Sequence, residues 1–162
     1  TDGGGDGVTV VGFSVGAASV KKADDAFDFL ADPTTASLVD PAISEYVPDS
    51  LPMGVGTRNR IRFRLWGLPL RAVSVVRVWE PGHRMVMANE RPARPVRAVA
   101  THRFDPDGPD RCTYTWQIDF EPTVPLGVVA ARLLCRAMRA NAAAQQQRFK
   151  AEVERRWRSN PR

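Results

Sequence analysis

The 162-residue chain is poor in the residue types on which several common functions depend. It has only two histidines and two cysteines, and they are not spaced like a set of metal ligands. We therefore expect no metal and no other cofactor, and we expect Cys112 and Cys135 to be reduced thiols in the core. The glycines at residues 3–7 follow no strand, so they do not form a phosphate-binding loop.

Long apolar segments are also absent. No stretch approaches the roughly 20 apolar residues that a membrane-spanning helix needs. The first residues include Asp2 and Asp6, where a signal peptide would have a basic region followed by an apolar one. We therefore predict a cytoplasmic protein without a membrane span.

Lysine is scarce as well, although the net charge is +5. Nearly all the basic residues are arginines, and they are not clustered with aromatic residues for base stacking. We therefore expect no specific binding of nucleic acid. The stripe of Arg58, Arg60, Arg62 and Arg64 could bind an acidic partner or phosphate, but the favoured interpretation is the solvated outer face of a sheet.

The composition is that of one globular domain. Hydrophobic residues make up 43% of the chain and charged residues 25%, which excludes disorder along most of its length. Residues 1–7 are Gly and Asp with one Thr, so we predict a flexible tail there. A single ligand-binding domain is predicted over residues 8–160, and nothing in the sequence predicts its oligomeric state.

The order of the sequence patterns predicts an α+β fold. A β-branched segment at residues 8–15, continuing weakly to residue 20, predicts a first strand, and Phe27 and Leu30 give the next segment the apolar face of a short helix. Asp32-Pro33 ends that helix, and a second helical turn is predicted at residues 35–39. From Ile43 onward the period is two, which is typical of strands. Further strands are predicted at residues 55–66, 70–80, 83–91, 96–105 and 111–121.

The strand at residues 55–66 has the clearest alternation. Ile61, Phe63 and Leu65 alternate with the four arginines, so one face should be buried and the other solvated.

A long helix is predicted from residue 127 to about residue 158. Leu134, Met138, Asn141, Gln145 and Phe149 fall near one face of it at spacings of three and four. Amide side chains in the middle of an otherwise apolar face are typical of a helix that lines a cavity. One helix about 10 Å wide cannot fill the concave side of six or seven strands. We therefore predict a cavity between the helix and the sheet.

Four local motifs resemble those of the START-like (SRPBCC, helix-grip) superfamily, and in particular its bacterial polyketide cyclase/dehydrase-like branch. They are AFDFLADP at residues 26–33, MGVGTR at 53–58, WEPGHRM at 79–85 and FDPDG at 104–108. The resemblance covers about residues 8–158. It implies a helix-grip fold, in which a curved seven-stranded antiparallel sheet and two short helices combine with a long C-terminal helix over a cavity. The chain lacks the Trp that commonly precedes Pro41 in this branch.

His102 is the candidate catalytic residue, together with Tyr114. If Phe104 pairs with Cys112 in the predicted hairpin, His102 lies opposite Tyr114 on the inner face. A His beside a Tyr in a partly dry cavity could act as general acid or base in a cyclisation or dehydration. The alternative is that His102 is a hydrogen-bonded residue of the wall that only orients a ligand.

The function that follows is binding of an apolar or aromatic small molecule, polyketide-like or lipid-like, in this cavity. The resemblance implies that any enzymatic activity would be of the polyketide cyclase, aromatase or dehydrase type, and it leaves that activity open. The alternative is a non-catalytic protein-interaction or carrier module of the same fold. The predicted ligand-binding residues are Asn59, Phe63, Ser74, Asn89, Trp116, Met138, Asn141, Gln145 and Phe149.

Overall fold

The computed structural model describes residues 8–17, 23–90, 96–109 and 111–159. The predicted tail at residues 1–7 and the predicted end of the first strand lie outside these ranges. The strands are β1 (Val8–Ala17), β2 (Ile43–Pro48), β3 (Arg58–Leu65), β4 (Leu68–Glu80), β5 (Arg84–Asn89), β6 (Val96–Pro106) and β7 (Cys112–Pro122). The α-helices are α1 (Ala23–Ala31), α2 (Ala36–Val39) and α3 (Gly127–Ser159).

The described strands form one antiparallel sheet in the order β1-β7-β6-β5-β4-β3-β2. From β2 to β7 each strand pairs with the next one in the chain, and β1 is added beside β7. Register shifts interrupt the β1–β7, β2–β3 and β4–β5 pairs. Such irregularities bend strands, so the sheet is curved and has a concave face.

The two short helices lie between β1 and β2, as the sequence predicts. In α1, Ala26, Phe27 and Phe29 are buried, and acidic residues occupy the first turn, where carboxylates suit the positive end of the helix dipole. The second helical segment begins earlier than predicted, with a 3-10 turn at Pro33–Thr35. The side chain of Asp32 accepts a hydrogen bond from the Thr34 N–H and so caps that turn.

The predicted strand at residues 55–66 is shorter in the structure. β3 begins at Arg58, because Gly56 adopts φ of 91° in a turn and Val55 is exposed. The alternation predicted for β3 is confirmed. Its arginines are exposed, whereas Ile61, Phe63 and Leu65 are half-buried. Two of the arginines make ion pairs on the outer face, Arg58 with Glu90 and Arg62 with Glu45.

The core explains where the cavity lies. One cluster of buried residues joins α1, β5, β6, β7 and α3, and includes Phe27, Met85 and Phe104. A second joins β6 and β7 to the first half of α3. The long helix thus packs on β1, β6 and β7, and its other contacts are with α1 and α2. The concave surface of β3, with its half-buried apolar side chains, faces open space instead.

The α+β, helix-grip-like architecture with a long C-terminal helix is therefore confirmed. Cys112 and Cys135 are both buried and both free thiols. None of the helices in the described ranges is long and apolar enough to cross a membrane.

Candidate functional site

A cavity of about 380 Å³ lies between the concave face of the sheet and α3. This volume falls in the range of small-molecule binding sites. Most of its wall is apolar and comes from β3, β6, β7 and α3. The apolar lining includes Ile61, Phe63, Leu65, Ala98, Ala100, Trp116, Ile118, Phe120, Leu134, Met138 and Phe149.

His102 and Tyr114 stand side by side in the wall, both buried. His102 Nδ1 and the Tyr114 hydroxyl oxygen are 2.7 Å apart and share a hydrogen bond, whose direction depends on the tautomer of the imidazole. The strand register is not the predicted one. Phe104 pairs with Tyr114, and His102 pairs with Trp116, two residues further along β7 than expected. The side chains still meet, because a shift of two residues keeps them on the same face.

Burial keeps this pair uncharged. Removal from water lowers the pKa of His102 from 6.5 to about 4, because burial penalises the charged imidazolium. The same desolvation raises the pKa of the Tyr114 hydroxyl above its usual value of 10.0. At neutral pH the site therefore offers a neutral imidazole and a protonated phenol.

Aromatic rings extend the wall on both sides of the pair. The Trp116 ring lies nearly parallel to the His102 ring, with centroids 6.3 Å apart. On the other side Tyr114 stacks on Phe149 at 4.4 Å between centroids. These flat apolar surfaces suit a planar or aromatic ligand.

Three predicted polar residues form a row across the sheet. Asn59 pairs with Ser74, and Ser74 pairs with Asn89. Ser74 and Asn89 line the cavity, whereas Asn59 is fully buried beside them, with its Nδ2 3.8 Å from Met87 Sδ. We refer to these residues as the polar row.

Both predicted amides of α3, Asn141 and Gln145, line the cavity, and both already have a hydrogen-bond partner. Gln145 is buried, but its Nε2 donates to Asp40 Oδ2 at 2.8 Å. Asn141 is exposed at the cavity rim, and its Nδ2 approaches the Ala137 carbonyl oxygen of its own helix at 3.4 Å. Ala142, one residue on, takes the buried position. Four other predicted residues of β7 and α3 also line the cavity, and they contribute apolar or aromatic surface. They are Tyr114, Trp116, Met138 and Phe149.

The sequence did not single out Asp40 and Tyr46, which both line the cavity. Asp40 accepts the hydrogen bond from Gln145 and another from the Ala42 N–H. Tyr46 also lines the cavity. Its hydroxyl lies 3.4 Å from Met87 Sδ, and burial raises its pKa to about 12. Its face could not be read from alternation, because the β2–β3 register shifts between Ile43 and Glu45.

No group of three His, Cys, Asp or Glu side chains within the described ranges is arranged to hold a metal ion. The polar groups of the wall are hydroxyls, amides and one imidazole, together with charged side chains at Asp32, Asp40 and Arg64.

The chain belongs to the family described as polyketide cyclase / dehydrase and lipid transport, whose model matches residues 19–154. The START-like, polyketide cyclase-related resemblance seen in the sequence motifs is thereby confirmed. No curated protein sequence matches the chain.

Solved structures share the fold over nearly the whole chain. The Zhui aromatase/cyclase from Streptomyces sp. R1128 matches with a TM-score of 0.74 and 18% identity, covering 90% of this chain and 93% of that one. A norcoclaurine synthase point mutant of Thalictrum flavum, in complex with a transition-state analogue, has a TM-score of 0.69 and 17% identity, covering 93% and 98%. A START superfamily protein from Mycobacterium smegmatis has a TM-score of 0.67 and 15% identity, covering 90% and 97%. At these identities the likeness establishes the fold alone.

Proposed function

We propose that the chain binds an apolar or aromatic small molecule, polyketide-like or lipid-like, in the cavity between the sheet and α3. The observation that carries the proposal is the cavity itself, about 380 Å³ of mostly apolar wall with a few buried polar groups. A protein whose role lay only in its surface would have no need of half-buried apolar side chains facing such a space. The family and the similar aromatase/cyclase structure support this proposal.

The first test asks what the protein carries. Native mass spectrometry of freshly purified protein, followed by solvent extraction, should reveal a bound apolar molecule. Independently, a panel of polyketide-like, steroid and fatty-acid ligands should quench or shift the emission of Trp116, which lines the cavity. Trp116→Phe should remove most of that signal.

A cavity-filling variant distinguishes ligand binding in the cavity from binding elsewhere on the surface. Ala100 lines the cavity, so Ala100→Trp should block ligand binding and leave the fold intact. The matched control is Ala143→Trp on the exposed face of α3, which should bind like the wild type. If no ligand of the panel binds, or if both tryptophan variants bind equally well, the proposed binding function is wrong.

The His102–Tyr114 pair supports an acid–base role as a second candidate function. The neutral imidazole can accept a proton from a carbon next to a carbonyl group, and the Tyr114 hydroxyl can donate a hydrogen bond to a developing oxyanion. These are the proton transfers that an intramolecular cyclisation or a dehydration needs. If the protein turns over a bound polyketide-like compound, His102→Gln and Tyr114→Phe should each lower kcat at least tenfold. Unchanged turnover in both variants would contradict the acid–base role and leave ligand binding as the only proposed function.

A further inference from the structure

The polar row and the His102–Tyr114 pair lie at different levels along the strands of the concave face. Asn89 is four residues along β5 from Met85, and Met85 is the cross-strand partner of His102. Four residues of a strand span about 13 Å. The wall between the row and the pair is apolar at Met87 and at its cross-strand partner Ala100.

The polar row has unused hydrogen-bonding capacity. Ser74 is 6% exposed, and its hydroxyl has no hydrogen-bond partner anywhere in the described part of the chain. The same holds for the carbonyl oxygen Oδ1 of the adjacent Asn59, which is 0% exposed. Buried polar groups without partners are uncommon and cost stability, so they call for a reason. A ligand that bonds to Ser74 would supply one.

Two of the three charged side chains of the wall are already engaged by other residues. Asp40 is engaged by Gln145, and Asp32 accepts from Arg156 at 3.2 Å. Arg64 is exposed to solvent. The polar atoms deeper in the wall, on Ser74, Asn89, His102 and Tyr114, belong to groups without charge at neutral pH. An ion placed beside these four groups would lose its hydration, and none of the four would offer it an opposite charge.

We infer that the cavity selects an elongated, uncharged ligand with a hydrogen-bonding oxygen at each end. One end bonds to Ser74 and Asn89 of the polar row, and the other end bonds to the His102–Tyr114 pair. The middle of the ligand is apolar and lies against the aromatic and aliphatic wall. This inference rests on the proposed binding function and adds the ligand class and the residues that distinguish it.

Three rigid probes of nearly equal shape test the inference: biphenyl, 4-phenylphenol and biphenyl-4,4′-diol. Their affinities are measured by isothermal titration calorimetry. The diol should bind the wild type about five- to tenfold more tightly than 4-phenylphenol, which is the gain expected from one additional hydrogen bond. Ser74→Ala should remove this difference, and the affinity for biphenyl should stay within about twofold. The matched control Ser37→Ala, at an exposed serine of α2, should keep the preference for the diol.

The possible results distinguish a failure of this inference from a failure of the proposed binding function. Equal binding of the diol and 4-phenylphenol to the wild type, or an unchanged preference for the diol in Ser74→Ala, would overturn the inference and leave cavity binding intact. Failure of all three probes to bind would overturn both. Ser74→Ala should also raise the melting temperature of the free protein slightly, because it removes a hydroxyl without a partner. Asn89→Leu provides a second variant with the same expected loss of preference.

Discussion

At the scale of single residues, the charge of His102 is set by its environment in the fold. The sequence contains two histidines, and neither has neighbours in the chain that would predict its protonation state. In the structure His102 is buried against Tyr114 and Trp116, and burial sets its charge. His83, by contrast, is exposed at the turn between β4 and β5.

This burial predicts a pH dependence of stability. The pKa of His102 is about 4 in the folded protein and 6.5 in an unfolded chain. Between these values the unfolded chain binds more protons, so stability should fall as the pH drops from about 6.5 towards 4, by roughly 3 kcal/mol in total. In His102→Gln this contribution should vanish. Urea denaturation of wild type and variant at a series of pH values measures the difference.

Subtracting the free energy of unfolding of the variant from that of the wild type at each pH cancels the contribution of the carboxylates, which titrate in the same pH range. His83→Gln serves as the comparison for the general effect of replacing a histidine. Parallel stability curves for the wild type and His102→Gln would show that His102 is more accessible to water than the structure indicates.

At the scale of secondary structure, the strands differ in what their inner faces meet. At Phe104 the inner face of β6 is covered by α1 and α3, and this side chain is 1% exposed, whereas residues nearer the start of β6 line the cavity. The inner face of β3 has the same alternation of apolar and polar residues, but it faces the cavity, so Phe63 stays half-buried. The period-two pattern predicts which face is inward in both strands. It carries no information about what covers that face.

The two phenylalanines should therefore respond differently to truncation. Phe104→Ala leaves a void in a packed cluster and should cost about 3–5 kcal/mol in the free energy of unfolding. Phe63→Ala only enlarges a space that already exists, so it should cost about 1–2 kcal/mol, less than for a buried phenylalanine. Chemical denaturation measures both, and Arg62→Ala on the exposed face of β3 is the control. Equal, large losses for both phenylalanines would mean that the cavity is filled in solution.

At the scale of the whole molecule, the chain has a net charge of +5, and several of its arginines make ion pairs. The arginine stripe of β3 lies on the exposed face of the sheet, and two of its members are paired with Glu45 and Glu90. Other arginines, among them Arg84, Arg97, Arg155 and Arg156, also contact carboxylates. The charge of these six arginines is thus partly neutralised by carboxylates.

Binding to DNA should accordingly be weak and should disappear near physiological salt. Dispersed arginines provide only the sequence-independent electrostatic attraction, which salt screens. Fluorescence anisotropy with a labelled duplex at low and at physiological salt measures this. Tight, sequence-selective binding at the higher salt would instead identify the arginine stripe as a functional surface.

Most of the architecture could be predicted from local patterns. Alternation identified β3, β6 and β7 and their inner faces, turn residues separated the strands, and the absence of proline and of further glycine outlined α3. The parity of His102, Tyr114 and Trp116 also followed from the period of two. The exact partners did not, because a slip of two residues leaves every side chain on the same face and so leaves no trace in the pattern.

The sequence by itself determined the α+β class, the helix-grip order of elements and the apolar faces of β3, β6 and β7, since these depend on periodicities of a few residues. Only the tertiary structure decided which polar groups are available to a ligand. The Gln145 side chain donates a hydrogen bond to Asp40, about a hundred positions away in the chain, whereas the Ser74 hydroxyl has no hydrogen-bond partner among the residues that the structure describes. Hydrogen bonds between distant segments depend on how α2, α3 and the sheet pack together, and no local pattern encodes that geometry.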